Sequence, residues 1–111
     1  MDIFENNPEH YPDFVRLNED WIKAYFAIEE ADRKLAANPG QIVDKGGVIF
    51  SLVRDGNVVG VCALFKQEEG MYELARMAVS ESERGQGLGD KLMQKAIDKA
   101  QVLQAKKLII L

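Results

Sequence analysis

The chain has 111 residues, 14 basic and 18 acidic, with a formal charge of −4, 47% apolar residues and one cysteine. A domain holds roughly 100–150 residues, so a single domain over residues 1–111 with one modest core is feasible, and a two-lobed enzyme with an interdomain cleft is excluded. There is no apolar run of the roughly 18 residues a membrane span needs and no basic-then-apolar leader, and the lone Cys62 gives no disulfide framework; the sequence reads as cytoplasmic, with no membrane partner and a buried core thiol.

Asn7-Pro8 is an N-cap followed by proline at the first helical position, and predicts a short helix to about residue 16. His10, the only histidine, falls in its first turn; no second His or Cys is spaced to share a metal, so no metal site is expected and His10 reads as a surface residue. Asn18 then caps a second predicted helix running to about residue 36, with Trp21, Tyr25, Ile28, Ala31 and Leu35 on one apolar face. The aromatic cluster Trp21, Tyr25 and Phe26 is expected in the core, the alternative being the lining of a substrate mouth. Asn38-Pro39-Gly40 ends that helix.

After Gly46-Gly47 the period changes. Val48 to Val53 and Val58 to Phe65 are valine-rich runs joined through Asp55-Gly56, a strong hairpin signal, and Met71 to Val79 reads as a third antiparallel strand after the Glu68-Glu69-Gly70 turn. Strand alternation predicts Met71, Glu73, Ala75, Met77 and Val79 on one face. A long helix from about residue 87 to 105 carries the apolar stripe Leu88, Leu92, Ala96, Ala100 and Leu103, while Lys91, Gln94, Lys95, Asp98, Lys99 and Gln101 are expected to face water. Residues 106–111 read as a last strand, an unbroken apolar run after two lysines that predicts cover on both faces.

Charge is unevenly spread. Residues 1–44 hold ten acids and four bases, a balance of −6, whereas residues 84–107 hold six bases and two acids, a balance of +4. One basic helix is narrower than a nucleic acid surface requires, so no nucleic acid partner is expected, but it suits a small phosphorylated ligand.

The informative stretch runs from Val79 to Leu92. A strand leads into Arg84, then three glycines at alternate positions, Gly85, Gly87 and Gly89, then an amphipathic helix. Glycines let a backbone approach a ligand closely, and a helix N-terminus offers unpaired N–H groups with about half a positive charge. That combination can cradle a phosphate, the alternative being a turn used only for packing. A Rossmann fingerprint fails because the third glycine comes one position early and the preceding strand belongs to a meander; a Walker A loop fails because Gly89-Asp90-Lys91 is not Gly-Lys-Ser/Thr.

Arg84-x-x-Gly87-x-Gly89, preceded by Met71 to Val79, resembles the signature and fourth strand of the GNAT superfamily of acyl-CoA-dependent N-acetyltransferases. The resemblance is specific from about residue 47 onward and topological before it. It implies an α/β (α+β) GNAT-like fold: two N-terminal helices, an antiparallel three-strand meander, a glycine-loop helix and a following parallel strand. It implies acetyl-CoA (coenzyme A) as cofactor, its pyrophosphate on Arg84, Gly85, Gln86, Gly87, Leu88 and Gly89, and its pantetheine arm on main-chain groups of Met77, Ala78 and Val79. Asp90 departs from the small or basic residue common after the signature and is left out of that site.

The implied reaction is transfer of an acetyl group to a primary amine of a small molecule or peptide by direct attack, with a strand N–H, that of Met77 or Val79, meeting the oxyanion. An ammonium with a pKa of about 10.4 must lose its proton first. Glu73 is the candidate general base, since burial among apolar neighbours would raise its pKa toward the range of about 6–7 useful for that role; the alternative is a solvated edge glutamate or an ion pair. A complete member of the family continues with a fourth helix, often bearing a tyrosine acid, and two more strands. None of Tyr11, Tyr25 or Tyr72 matches that acid. The chain is therefore expected to be C-terminally incomplete and to self-associate through its exposed last strand. A non-catalytic CoA-binding module or an inactive fragment is the alternative function.

Overall fold

The valine-rich runs separated by tight turns form the middle of a five-stranded sheet of order β1-β2-β3-β4-β5 in the computed structural model, which describes residues 1–110. The strands are β1 (Asp2–Glu5), β2 (Val48–Arg54), β3 (Asn57–Glu68), β4 (Met71–Val79) and β5 (Lys107–Ile110). The helices are α1 (Tyr11–Tyr25), α2 (Glu30–Ala37), α3 (Gln41–Asp44) and α4 (Leu88–Val102), with 3₁₀ turns at Pro8–His10 and Glu81–Glu83. Neighbouring strands are antiparallel except β4 and β5, which are parallel across the α4 crossover. The fold is the expected α+β arrangement, with a meander, a glycine-loop helix and a parallel strand after it.

Each face of the sheet carries its own core. Phe50, Leu52, Cys62, Leu64, Tyr72 and Leu74 pack under α4 through Leu88, Leu92, Ala96 and Ala100, the stripe its spacing predicts. Gly60 lets α4 sit close: a Cβ there would lie 3.0 Å from Leu92 Cδ1. On the other face Ile49, Val61, Ala63 and Ala78 pack against Phe14 and Leu17 of α1 and Ile42 of α3.

The N-terminal third differs most from its sequence reading. Asp2–Glu5, not anticipated as a strand, pairs antiparallel with β2. The cap at Asn7 forms, its side chain accepting from the Glu9 N–H at 3.1 Å, but the helix then runs straight through Asn18. Asn18 is buried inside α1, where its Nδ2 donates to the Phe14 carbonyl at 2.9 Å, so its side-chain amide is satisfied mid-helix rather than as a cap. The break falls at Phe26 instead (φ −143°, ψ −173°), and α2 starts from Glu29 with a reciprocal box between Glu29 and Asp32. His10 is half-buried rather than on the surface: its Nδ1 lies 2.6 Å from Ser51 Oγ and its ring meets Phe4 edge-on.

Two further expectations change. β5 is only half-buried: Leu108 and Ile109, on opposite faces, are each partly covered and Ile110 is 49% exposed, so neither face is fully covered. Lys95 and Lys99 do not simply face water; Lys99 Nζ sits 2.9 Å from Glu5 Oε1 and ties α4 to β1. Among the described residues no helix is long and apolar enough to cross a membrane.

Cys62 is fully enclosed between β3 and α4, and burial pushes its thiol up to about 12. At pH 8 the folded protein therefore holds only roughly one thiolate in 10⁴, far below the fraction of a free cysteine. Ellman's reagent is expected to leave Cys62 unmodified in buffer and to react fully in denaturant, the native labelling rate following the unfolding rate.

Candidate functional site

The site is built on β4, which changes its behaviour halfway along. From Met71 to Leu74 it pairs with β5, the last pair being Leu74 with Ile110; from Ala75 to Val79 it has no described neighbour on that side. Against β3 the register also shifts: Val61 faces Ala78 and Ala63 faces Ala75, so Arg76 and Met77 together stand opposite Cys62. Arg76 takes the left-handed conformation (φ 59°) that makes this bulge, at a cost of about 1–2 kcal/mol for a residue with a Cβ.

The bulge corrects the expected alternation. Glu73, paired with Phe65, and Ala75, paired with Ala63, face α1, whereas Met77 and Val79 turn to the α4 side with Tyr72 and Leu74. Direct cross-strand pairs share a face, so the strand cannot keep period two through an inserted residue. Ser80 N–H bonds to the Val59 carbonyl at 2.8 Å; bonding directions alternate along a strand, so Ala78 turns its main chain toward β3 while Met77 and Val79 turn theirs to the open side.

Beyond the last β4–β5 pair lies a cavity of about 570 Å³. Trp21 and Ile22 of α1, Glu73 to Met77 of β4, Met93 of α4 and Ile110 of β5 line it, so it reaches through the sheet from one helical layer to the other. Trp21 stands at this opening, 40% exposed, and Tyr25 and Phe26 are 61% and 65% exposed. The aromatic cluster is therefore not core: the buried stripe of α1 is Phe14, Leu17 and Asn18, and the helix carries its aromatic end past the sheet. Glu73 is half-buried at the rim, and its Oε2 accepts from Gln67 Nε2 at 3.1 Å.

Two charged groups shape the wall beside it. Arg76 Nη1 donates to Asp32 Oδ1 at 2.7 Å, joining the bulge to α2, and Asp32 Oδ2 accepts from the Glu29 N–H at 2.9 Å. The Glu29 N–H and then the Arg76 guanidinium hold the Asp32 carboxyl below the usual carboxylate range. α2 buries no residue completely, so this ion pair is a principal link between α2 and the sheet.

Past Val79 the chain enters the glycine loop, which has a hollow of its own. Gly85 and Gly87 adopt φ of 81° and 75°, and a Cβ at either would meet nothing within 4 Å. Both glycines therefore face open space, as a backbone cradle for a ligand must. A hollow of about 180 Å³ lies over the loop, lined by Val79, Glu83, Arg84, Gly85, Gly87, Leu88, Gly89 and Asp90. Arg84 is exposed, and its Nε donates to the Val79 carbonyl at 3.2 Å, fastening the loop to the end of β4. Gln86 lies outside the hollow, bonded to Arg54, while Asp90, set aside on sequence grounds, is part of the lining. The structure thus brings the loop residues and the end of β4 together, with Glu73 at the separate opening between β4 and β5.

The sequence matches the acetyltransferase (GNAT) family over residues 8–111, and the chain belongs to that family. Its fold is similar to that of a GNAT acetyltransferase from Staphylococcus aureus Mu50, with a TM-score of 0.85 at 20% identity over 98% of this chain and 71% of the other. An acetyltransferase from Streptococcus agalactiae 2603 aligns with a TM-score of 0.80 at 22% identity, covering 98% and 71%. A GNAT acetyltransferase from Brucella melitensis, crystallised with acetyl-CoA, aligns with a TM-score of 0.83 at 18% identity, covering 99% and 74%. No curated protein matches the chain.

The Asp32 link has a pH signature. A carboxyl whose folded pKa is depressed adds stability that is present above its unfolded pKa of about 3.9 and is lost as pH falls through the lower folded value. Losing the cap and the ion pair together should cost about 1–2 kcal/mol. Asp32→Asn is expected to lower Tm by a few degrees at pH 7, with the difference from the unmodified chain shrinking as pH falls below the ordinary carboxylate pKa of about 3.9 in parallel thermal melts.

Proposed function

We propose that this protein is an acetyl-CoA-dependent N-acetyltransferase acting on a primary amine of a small molecule or peptide in a cytoplasmic setting. The observation that carries the reading is the β4 bulge at Arg76, which redirects Met77 and Val79 and leads into a glycine loop whose Gly85 and Gly87 leave space above the backbone. In this reading the N–H groups of Arg84 to Gly89 and the α4 N-terminus hold the diphosphate. Main-chain groups of Met77 and Val79 on the open side of β4 receive the amide-bearing arm much as an added strand would. Acetyl-CoA, when bound, supplies an activated thioester acyl group.

The rest of the work falls to this chain's side chains. An amine arrives as an ammonium with a pKa of about 10.4 and must lose a proton to become a nucleophile. Glu73, at the rim of the large cavity and bonded among the described residues to the neutral Gln67, is the carboxylate that accepts it, directly or through one water. Trp21 and Phe65 line the same cavity and would shield the acceptor from solvent. The N–H of Met77 or Val79 faces the open side, where negative charge on the acyl oxygen would develop.

Two substitutions separate binding from chemistry. Gly87→Glu puts both a strained side chain at φ 75° and a negative charge over the loop, and should weaken acetyl-CoA binding by at least about 100-fold in calorimetry. Unchanged affinity would remove the loop as the cradle. Glu73→Gln should keep acetyl-CoA affinity and lose CoA release across an amine panel by about 10²–10⁴-fold. Binding without turnover in the unmodified chain would leave a non-catalytic acetyl-CoA-binding module as the function.

A further inference from the structure

Arg54, at the end of β2, reaches the glycine loop from the opposite hairpin. Its Nη1 donates to Glu83 Oε2 at 2.5 Å and to Gln86 Oε1 at 2.7 Å. Glu83 lines the hollow over the loop, and so do Arg84 and Asp90. Two acids against one base make the lining −1, and Arg54 behind Glu83 brings the sum to zero. Arg54 is the only basic side chain paired with Glu83 among the described residues. The pair is partly exposed, at 31% and 21%, and such pairs add little to folding. Its consequence lies in the hollow: a carboxylate a few ångströms from a bound diphosphate repels it strongly unless a cation cancels the charge.

We propose that Arg54 is a positioning residue for the cofactor's diphosphate, acting through Glu83: it cancels that carboxylate's charge and, with Gln86, draws it to the hairpin side of the loop. The inference rests on the reading of the loop as an acetyl-CoA cradle. It assigns a binding role to a residue roughly 30 positions before the signature, on a hairpin that no phosphate motif includes.

Charge cancellation and simple bracing predict opposite results for Glu83. Bracing is broken equally by removing either partner. Under cancellation, removing Arg54 exposes a repulsive carboxylate, whereas removing the carboxylate frees a cation beside the phosphates. The full chain, with Arg54→Gln, Glu83→Gln and the double substitution, would be titrated with acetyl-CoA by calorimetry at low and high salt. Arg54→Gln is expected to weaken binding about tenfold at low salt and less at high salt. Glu83→Gln is expected to bind at least as tightly as the unmodified chain, and the double variant to fall within about twofold of it. Weakening by Glu83→Gln equal to that by Arg54→Gln, or unchanged binding in Arg54→Gln, would overturn the role of Arg54 while leaving the cradle in place. An unmodified chain that does not bind acetyl-CoA would overturn both.

Discussion

The bulge at Arg76 is the constraint on which the rest of the site depends. β4 pairs with β3 along its whole length, but with Arg76 and Met77 together opposite Cys62. Inserting one residue in the left-handed conformation lets the strand keep its β3 register while redirecting Met77 and Val79. That conformation is unfavourable for arginine, and the Asp32 ion pair offsets part of the cost. The same residue thus bends the strand through its backbone and attaches α2 through its guanidinium.

Around that bend the molecule divides its labour between layers. α4 presses its aliphatic stripe onto one face and brings the glycine loop to the end of β4. α1 covers the other face with Phe14 and Leu17 and then extends Trp21 over the opening. Two different chemistries lie along β4: backbone N–H groups and a balanced rim at the loop, and apolar walls with the rim carboxylate of Glu73 at the cavity. A cofactor with an anionic end and a reactive acyl end fits such a division.

Much of this was legible in the sequence, and the parts that were not share a cause. The meander, the long helix and the loop are written in local signals: valine runs, Asp55-Gly56, glycines at alternate positions and an unbroken 3.6-residue stripe. Asn18 misled because an N-cap residue type also serves inside a helix when its amide bonds back to the preceding turn. The true start of α2 was hidden because its box uses Glu29 and Asp32, not a serine or threonine cap. Trp21 and Tyr25 fit the helical period, but period reports a face and not what the sheet covers. Arg54 and Arg76 left no local trace at all. Their roles come from partners 29 and 44 positions away, and only the folded sheet brings them together.

The central claim is that the open half of β4 and the glycine loop form one binding surface. Backbone amide shifts in a ¹H–¹⁵N correlation spectrum, followed during titration with acetyl-CoA, test it most directly. The account predicts that Met77, Val79 and the loop amides from Gly85 to Gly89 move together with a single affinity, while β1 and the outer end of β2 stay still. Shifts confined to the loop with β4 unmoved, or shifts centred elsewhere on the sheet, would contradict it.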